Sequence, residues 1–185
     1  MKSVGKVLCV GDIILDCYSD GRVERISPEA PIPVLRVTES DKEVLGGSGN
    51  VARNVTAAGN NCHLISVIGD DNDGEILKQL CKKTKDLTFD LIVDKTRLTT
   101  KKQRFVSGNQ QILRVDSESK EYISNKIEDN IFELFFKKLK YVNVVIISDY
   151  KKGMLTKSLL KKIIRTCRTK KKTVIIDPKD KDFSM

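Results

Sequence analysis

Apolar residues in this chain fall into short, nearly continuous runs that alternate with longer stretches of helical spacing. The runs are Val7–Val10, His63–Ile68, Leu87–Val93, Val144–Ser148 and Thr173–Ile176. They are rich in β-branched residues and lack polar alternation, as expected of strands covered on both faces. Helical spacing extends from about Asn50 to Ala58, Gly74 to Lys83, Asn125 to Lys140 and Lys157 to Thr169. In the third of these, Ile127, Ile131, Leu134, Phe135 and Leu139 form one stripe, with Ser124 placed as its N-cap. In the fourth, Leu159, Leu160, Ile163, Ile164 and Cys167 do the same. Alternation of strand and helix predicts an α/β fold with a parallel sheet and right-handed crossovers.

Two segments break this rhythm. Asp16 to Leu45 carries strand-like pieces separated by Pro28, Pro31 and Pro33. Arg97 to Asp116 reads as a hairpin turning at Ser107-Gly108-Asn109. Either they are ordinary loops with strand character or they form an extra β layer. Their combined length favours the second reading, because long insertions in compact domains usually serve a function.

The length of 185 residues suffices for one domain core. No run of about 18 apolar residues marks a membrane span, and no signal-like segment precedes the first strand. The five cysteines are scattered, with no Cys-x-x-Cys pair. Cys9, Cys62 and Cys81 lie in or beside apolar segments, so buried free thiols and a cytoplasmic location are expected. His63 is the only histidine, which argues against a histidine metal site. The formal net charge of +9 raises the possibility of a basic nucleic-acid binding domain. The excess comes mostly from lysines on helix faces, such as Lys157, Lys161 and Lys162, and from Lys170-Lys171-Lys172. No aromatic residues are interleaved with them for base stacking, so solvated faces are the favoured reading and neither nucleic acid nor membrane is expected as a partner.

The candidate chemistry gathers where the strands end. Leu45-Gly46-Gly47-Ser48-Gly49-Asn50 runs into a helix, and Asn54 follows Asn50 by one turn. Glycines allow close backbone approach, a helix N-terminus offers free N–H groups, and two carboxamides on one face suit a polyol such as a sugar. A Gly-rich turn that only starts a helix fits the block equally well. Asp12 and Asp16 follow the first strand, where ligands of α/β sheets bind, although either would also serve as a turn residue or cap. Asp70 and Asp71 follow the second strand, Asp149 the fourth, and Asp177-Pro178-Lys179 the fifth. Asp73 reads as a helix cap. Several carboxylates on one rim point to a polar site, and Lys179 adds a cation suited to a phosphate. Lys102, Arg104 and Arg114 alternate at even spacing and would share one strand face, either as phosphate ligands or as a solvated surface.

Together these segments carry a family resemblance. Gly11-Asp12, the Gly46-Gly47…Asn50…Asn54 block and Gly69-Asp70-Asp71 resemble the ribokinase-like carbohydrate kinases. Arg25-Ile26-Ser27-Pro28-Glu29-Ala30-Pro31, Asn109-Gln110-Gln111…Arg114-Val115-Asp116, Ser148-Asp149-Tyr150-Lys151-Lys152-Gly153 and Ile176-Asp177-Pro178-Lys179 narrow the match. They are similar to the branch that phosphorylates D-glycero-β-D-manno-heptose 7-phosphate, the kinase part of bifunctional ADP-heptose synthases. The resemblance runs from about Val7 to Phe183. It implies a three-layer ribokinase-like fold, C-terminally incomplete, in which segments 16–45 and 97–116 form a small β lid that often mediates dimerisation.

The resemblance further implies transfer of the ATP γ-phosphoryl to the anomeric hydroxyl, a step in ADP-heptose and lipopolysaccharide synthesis. Sugar-side residues would be Asp12, Asp16, Gly46, Gly47, Asn50, Asn109 and Arg114, with Lys102, Arg104, Asp149 and Lys179 serving the phosphate or charge neutralisation. ATP and Mg2+ belong to the complete family enzyme, with little binding expected of this chain alone. The family's Gly-Ala-Gly-Asp motif, which carries the catalytic base, does not occur in the sequence. Ser48-Gly49 replaces an expected Ala-Ala, and Gly108 stands at an expected arginine. The chain is therefore expected to be inactive alone, as part of a kinase whose remainder is separately encoded or lost. A non-catalytic sugar-phosphate module and the remnant of a decayed gene are the alternatives. Asp12, Asn50 and Arg114 are expected to converge on one pocket, and replacing Asp12 or Asn50 by Ala should weaken binding with little effect on stability.

Overall fold

The computed structural model describes residues 6–39 and 41–179; the last stretch of the resemblance, to Phe183, lies outside them. Five strands form a wholly parallel sheet: β1 (Lys6–Gly11), β5 (Asn61–Ile68), β6 (Leu87–Val93), β9 (Val144–Asp149) and β10 (Thr173–Pro178). Their order is β10-β9-β1-β5-β6, so the chain runs outward in both directions from β1. A strand order that reverses direction in this way opens a crevice beyond the carboxyl ends of the strands.

Alternation along the strands sends side chains to two cores. Leu8, Val10, Val145 and Ile147 face α3 (Asn125–Leu139) and α4 (Lys157–Thr169), meeting Ile131, Phe135, Leu159 and Ile163. Cys9, Leu64 and Ile68 face the other way, toward α1 (Ser48–Ala57) and α2 (Asn72–Lys83), meeting Ala52, Leu77 and Cys81. The helices are started by local chemistry. Ser124 accepts the Ile127 N–H and caps α3, as its position predicts. Thr156 caps α4 by accepting from Leu159. The cap of α2 is Asp71, which accepts from Gly74; Asp73 lies inside the first turn and pairs with Lys101 at 3.1 Å. The assignment of the cap to Asp73 is thereby corrected.

The two interrupting segments build a second sheet from β2 (Ile13–Ile26), β3 (Pro33–Val37), β4 (Lys42–Gly47), β7 (Lys101–Ser107) and β8 (Gln110–Ser117). Its order is β3-β2-β7-β8, with β4 also pairing β2. β2 pairs parallel with β7 and antiparallel with β3 and β4. Only Asp12 separates β1 from β2, so the chain passes from one sheet into the other at the rim. One face of this sheet contributes Leu15 and Cys17 to the core under α1 and α2, and the opposite face carries Asp16 and Tyr18. All five cysteines are buried and unpaired.

Candidate functional site

The rim begins at Asp12, which is 3% exposed. Its carboxylate accepts backbone N–H bonds from Tyr150 (2.8 Å), Lys152 (3.2 Å) and Met154 (3.3 Å). The loop after β9 can aim alternate amides at one anion because Lys151 and Gly153 both have positive φ, 55° and 84°. Burial nevertheless outweighs these bonds and lifts the carboxyl above its ordinary range. Asp12 therefore organises its own chain, and the expectation that removing it leaves stability unchanged is revised.

The same loop is tied to both connectors of the β7–β8 hairpin. Arg97 donates to the Glu121 and Lys152 carbonyls, and the Lys152 ammonium bonds Glu118. Lys152 and Glu118 bring opposite charges together where little water enters, and the lysine holds Glu118 below the usual carboxylate range despite burial.

Above this loop lies the Asp16 face of the second sheet. Register places Asp16 (β2), Lys102 (β7) and Asp116 (β8) in one row, and Tyr18, Arg104 and Arg114 in the next row on the same face. Arg104 reaches diagonally to Asp16 at 2.6 Å and lies over the Tyr18 ring at 5.1 Å. Burial opposes the guanidinium charge, but the Asp16 bond prevails and raises its pKa. Arg114 pairs with Asp116 at 2.9 Å. Lys102 Nζ lies 6.0 Å from the centre of the Tyr150 ring. Burial lowers the lysine pKa, and the charges of Lys152 and Lys179 add to the effect, against the opposing attraction of Asp16 and Asp116. The Tyr150 hydroxyl is pushed up by burial and by Asp177 and Asp16. The row and the rim thus share one electrostatic environment of Asp16, Lys102, Tyr150, Asp177 and Lys179.

The other expected residues have different partners. A Cβ on Gly46 would lie 2.1 Å from the Asp16 carboxylate, and one on Gly47 would lie 2.3 Å from the Asp12 carbonyl. Gly47 also has φ 55°, so both glycines are required by the chain's own packing before any ligand is considered. Asn50 accepts from Arg53 at 2.8 Å, and Asn54 lines a groove with Val55, Ala58 and Asn143 toward the opposite end of the sheet. The two asparagines therefore do not address one ligand. Asp12 bonds the loop, Asn50 bonds Arg53 and Arg114 bonds Asp116, so each of the three has a partner within the protein. Asn109 lies at the exposed tip of the hairpin, about 20 Å up the strand from Lys102 at the usual rise per residue. Asp149 accepts from the Lys151 amide, and Lys179 is exposed beyond β10.

Among the described residues, no three His, Cys, Asp or Glu side chains come together as metal ligands. No described helix is long and apolar enough to cross a membrane. One element of the charge reading changes in three dimensions: Lys140 lies 4.7 Å from the Tyr141 ring centre and Lys170 lies 6.0 Å from that of Phe136. Tyr141 directly follows Lys140 in sequence, whereas Phe136 is brought to the run Lys170-Lys171-Lys172 by the ends of α3 and α4.

This geometry has known counterparts. A model described as pfkB family carbohydrate kinase matches residues 4–185. The chain belongs to the pfkB family of carbohydrate kinases. A curated protein of Caulobacter sp. (strain K31), "Bifunctional protein HldE", is 44% identical over 178 residues, which are 96% of this chain and 36% of that protein. The protein of the same name from Helicobacter pylori (strain J99) is 41% identical over 179 residues, 97% of this chain and 38% of its own length. The chain thus spans well under half the length of these relatives. Among solved structures, a possible 1-phosphofructokinase from Thermotoga maritima superposes with a TM-score of 0.74 at 16% identity, over 94% of this chain and 53% of that one. Phosphofructokinase-2 from Escherichia coli, solved with fructose-6-phosphate, gives a TM-score of 0.70 at 17% identity, over 96% and 56%. At such identities these structures support the ribokinase-like fold.

Within this pfkB chain, four participants escaped the reading from sequence: Arg97, Glu118, Tyr150 and Lys152. Tyr150 and Lys152 were visible inside a motif, but without a role. Nothing in the spacing of Arg97 and Glu118 announces that two connectors meet under the same loop.

Proposed function

We propose that this chain is the sugar-binding part of a kinase that phosphorylates D-glycero-β-D-manno-heptose 7-phosphate at its anomeric hydroxyl, in the cytoplasmic synthesis of ADP-heptose for lipopolysaccharide. The observation that carries this reading is the row on the second sheet, where Asp16 and Lys102 face the rim residues Tyr150 and Lys179. A carboxylate accepts bonds from sugar hydroxyls, and cations in a half-buried cleft favour a phosphorylated sugar over a plain one. The similarity to bifunctional HldE proteins supports the same substrate. In such a kinase ATP supplies the phosphoryl group, and this chain orients the acceptor.

The base and the anion hole of the family motif are absent from the sequence, so the chain alone does not turn over. Its partners in this reading are the sugar phosphate and a second copy joined through the second sheet. That sheet exposes Val23, Val37, Leu113 and Val115, which suits pairing between copies. Titration calorimetry with heptose 7-phosphate and with unphosphorylated heptose tests the reading, alongside an ADP-release assay. Binding that requires the phosphate, without turnover, supports it. Equal binding of both sugars, or no binding of either, refutes it.

A further inference from the structure

α3 leads into β9 and α4 into β10, so the last turns of both helices lie at the amino end of the parallel sheet, away from the rim. A small cleft of about 350 Å³ opens between them, lined by Phe136, Leu139, Lys140, Lys170 and Lys172. Its lining holds three lysines, one aromatic ring and no acidic residue. Phe136 is 51% exposed, and Tyr141, which follows Lys140, is 59% exposed. Each ring has a lysine ammonium over it, Lys170 on Phe136 and Lys140 on Tyr141.

Lysines at the carboxyl ends of helices answer the helix dipoles, and that accounts for part of the charge. It does not account for two large exposed rings among them, nor for the missing acids. Elsewhere on α3 and α4 lysines have acidic partners: Lys137 pairs with Glu133 at 3.8 Å, Lys138 with Asp90 at 3.6 Å and Lys162 with Glu128 at 2.9 Å. Among the described residues no carboxylate pairs with Lys140, Lys170, Lys171 or Lys172; the Lys172 ammonium donates to the Val142 carbonyl at 2.6 Å. Cations without acids beside open aromatic rings suit a ligand that is both anionic and planar. The concavity narrows the choice. A bilayer surface is broad and does not enter a cleft of this size, whereas a nucleobase does. A base seated on Phe136 brings its flanking phosphates to the surrounding lysines, and Tyr141 offers a second ring to the next base.

We propose that the surface formed by Phe136, Lys140, Tyr141, Lys170, Lys171 and Lys172 binds single-stranded nucleic acid, by base stacking and phosphate contacts and without sequence preference. It stands apart from the sugar-phosphate reading, because the two sites lie at opposite ends of the sheet. The experiment is fluorescence anisotropy of the wild-type chain with a labelled oligothymidylate of about 12 nucleotides over a range of salt concentrations. Four lysines meeting four phosphates predict that the logarithm of the affinity falls with that of the salt concentration at a slope of about −3. Binding should therefore weaken roughly 50-fold between about 50 and about 200 mM salt.

Phe136→Leu keeps an apolar side chain and removes the ring; it should bind about tenfold more weakly with the same slope, and Phe136→Tyr should restore the affinity. Lys170→Gln should reduce the slope by about 0.7. Lys157→Gln removes the same charge from the far end of α4, about 18 Å away at the usual rise per residue, and should change neither affinity nor slope. Absence of binding at about 50 mM salt overturns the proposal. So does wild-type affinity in Phe136→Leu, which would leave charge alone as the cause. Equal weakening by Lys157→Gln and Lys170→Gln overturns it too, by assigning the binding to net charge. Displacement of the oligonucleotide by phosphatidylglycerol vesicles that bind through Phe136 would assign the surface to a membrane and overturn it as well.

Discussion

Replacing Asp12 by Ala should destabilise the fold far more than its place in a binding motif suggests. The substitution removes one carboxylate and leaves three backbone N–H groups, those of Tyr150, Lys152 and Met154, without their acceptor. Lys152 and Met154 are 8% and 1% exposed, so water cannot readily reach their amides, whereas the half-buried Tyr150 amide can be rehydrated. An unsatisfied buried donor costs about 1–3 kcal/mol, so two give about 2–6 kcal/mol. Removing Asp12 also relieves the burial of its own carboxylate, the effect that lifts its pKa, and this offsets part of the loss. A net cost of about 3 kcal/mol is expected, a large share of the 5–15 kcal/mol typical of whole domains. For a chain of this length that corresponds to a fall in Tm of about 10 °C. Asp12→Asn retains one acceptor oxygen and should lose roughly half as much. Urea denaturation followed by circular dichroism measures both variants, and hydrogen exchange should localise the loosening to residues 150–154. A change below about 0.5 kcal/mol in Asp12→Ala would show that the three bonds do not hold the loop, and would refute this reasoning.

Other consequences are equally direct. In Gly46→Ala the new methyl would lie 2.1 Å from the Asp16 carboxylate, so Asp16 must swing away from Arg104. Heptose 7-phosphate affinity should fall about tenfold, and calorimetry showing wild-type affinity would contradict the proposed role of Asp16. His63, bonded to Thr88 and Asp90, has its pKa lowered from the ordinary 6.5 because burial disfavours the imidazolium. The unfolded chain therefore takes up a proton that the folded chain resists, so His63 costs stability as pH falls through about 6.5, and its contribution is restored at higher pH. As the only histidine it gives one NMR titration curve, and a folded-state pKa above 6.5 would contradict the assignment. Finally, among the described residues β10 is an edge strand, with Ile175 52% exposed beside Val51, Val55 and Ile146. Sedimentation should show concentration-dependent association that Ile175→Lys reduces, and a wild-type monomer at high concentration would remove the idea.

The parallel core was legible because its signal is local. Continuous β-branched runs such as Val144–Ser148 and the helical stripe ending at Leu139 admit few alternatives, and Ser124 sits where a cap is required. The two interrupting segments announced strands, but not that β2 would run unbroken from Ile13 to Ile26 or pair parallel with β7. Pairings between distant segments leave no trace in spacing. The same limit governed the site. Asp12, Asp16, Lys102 and Arg104 were all identifiable as candidates, because polar residues at strand ends and on alternate strand positions stand out. Their partners were not, so a structural carboxylate such as Asp12 looked the same as a ligand carboxylate. Asn50 and Asn54 show the complementary error: a shared helix face does not bring both residues to the rim when the helix axis runs away from it.

The central claim is that a sugar phosphate binds between the Asp16–Lys102 row and the carboxyl-end rim. Amide chemical-shift mapping of the 15N-labelled chain with heptose 7-phosphate tests it most directly. The account predicts that the largest shifts fall at Asp16, Lys102, Tyr150 and Lys179. Shifts concentrated instead in the cleft of about 480 Å³ at the opposite end of the sheet, around Lys6, His63 and Lys138, or no shifts at saturating sugar phosphate, would contradict it.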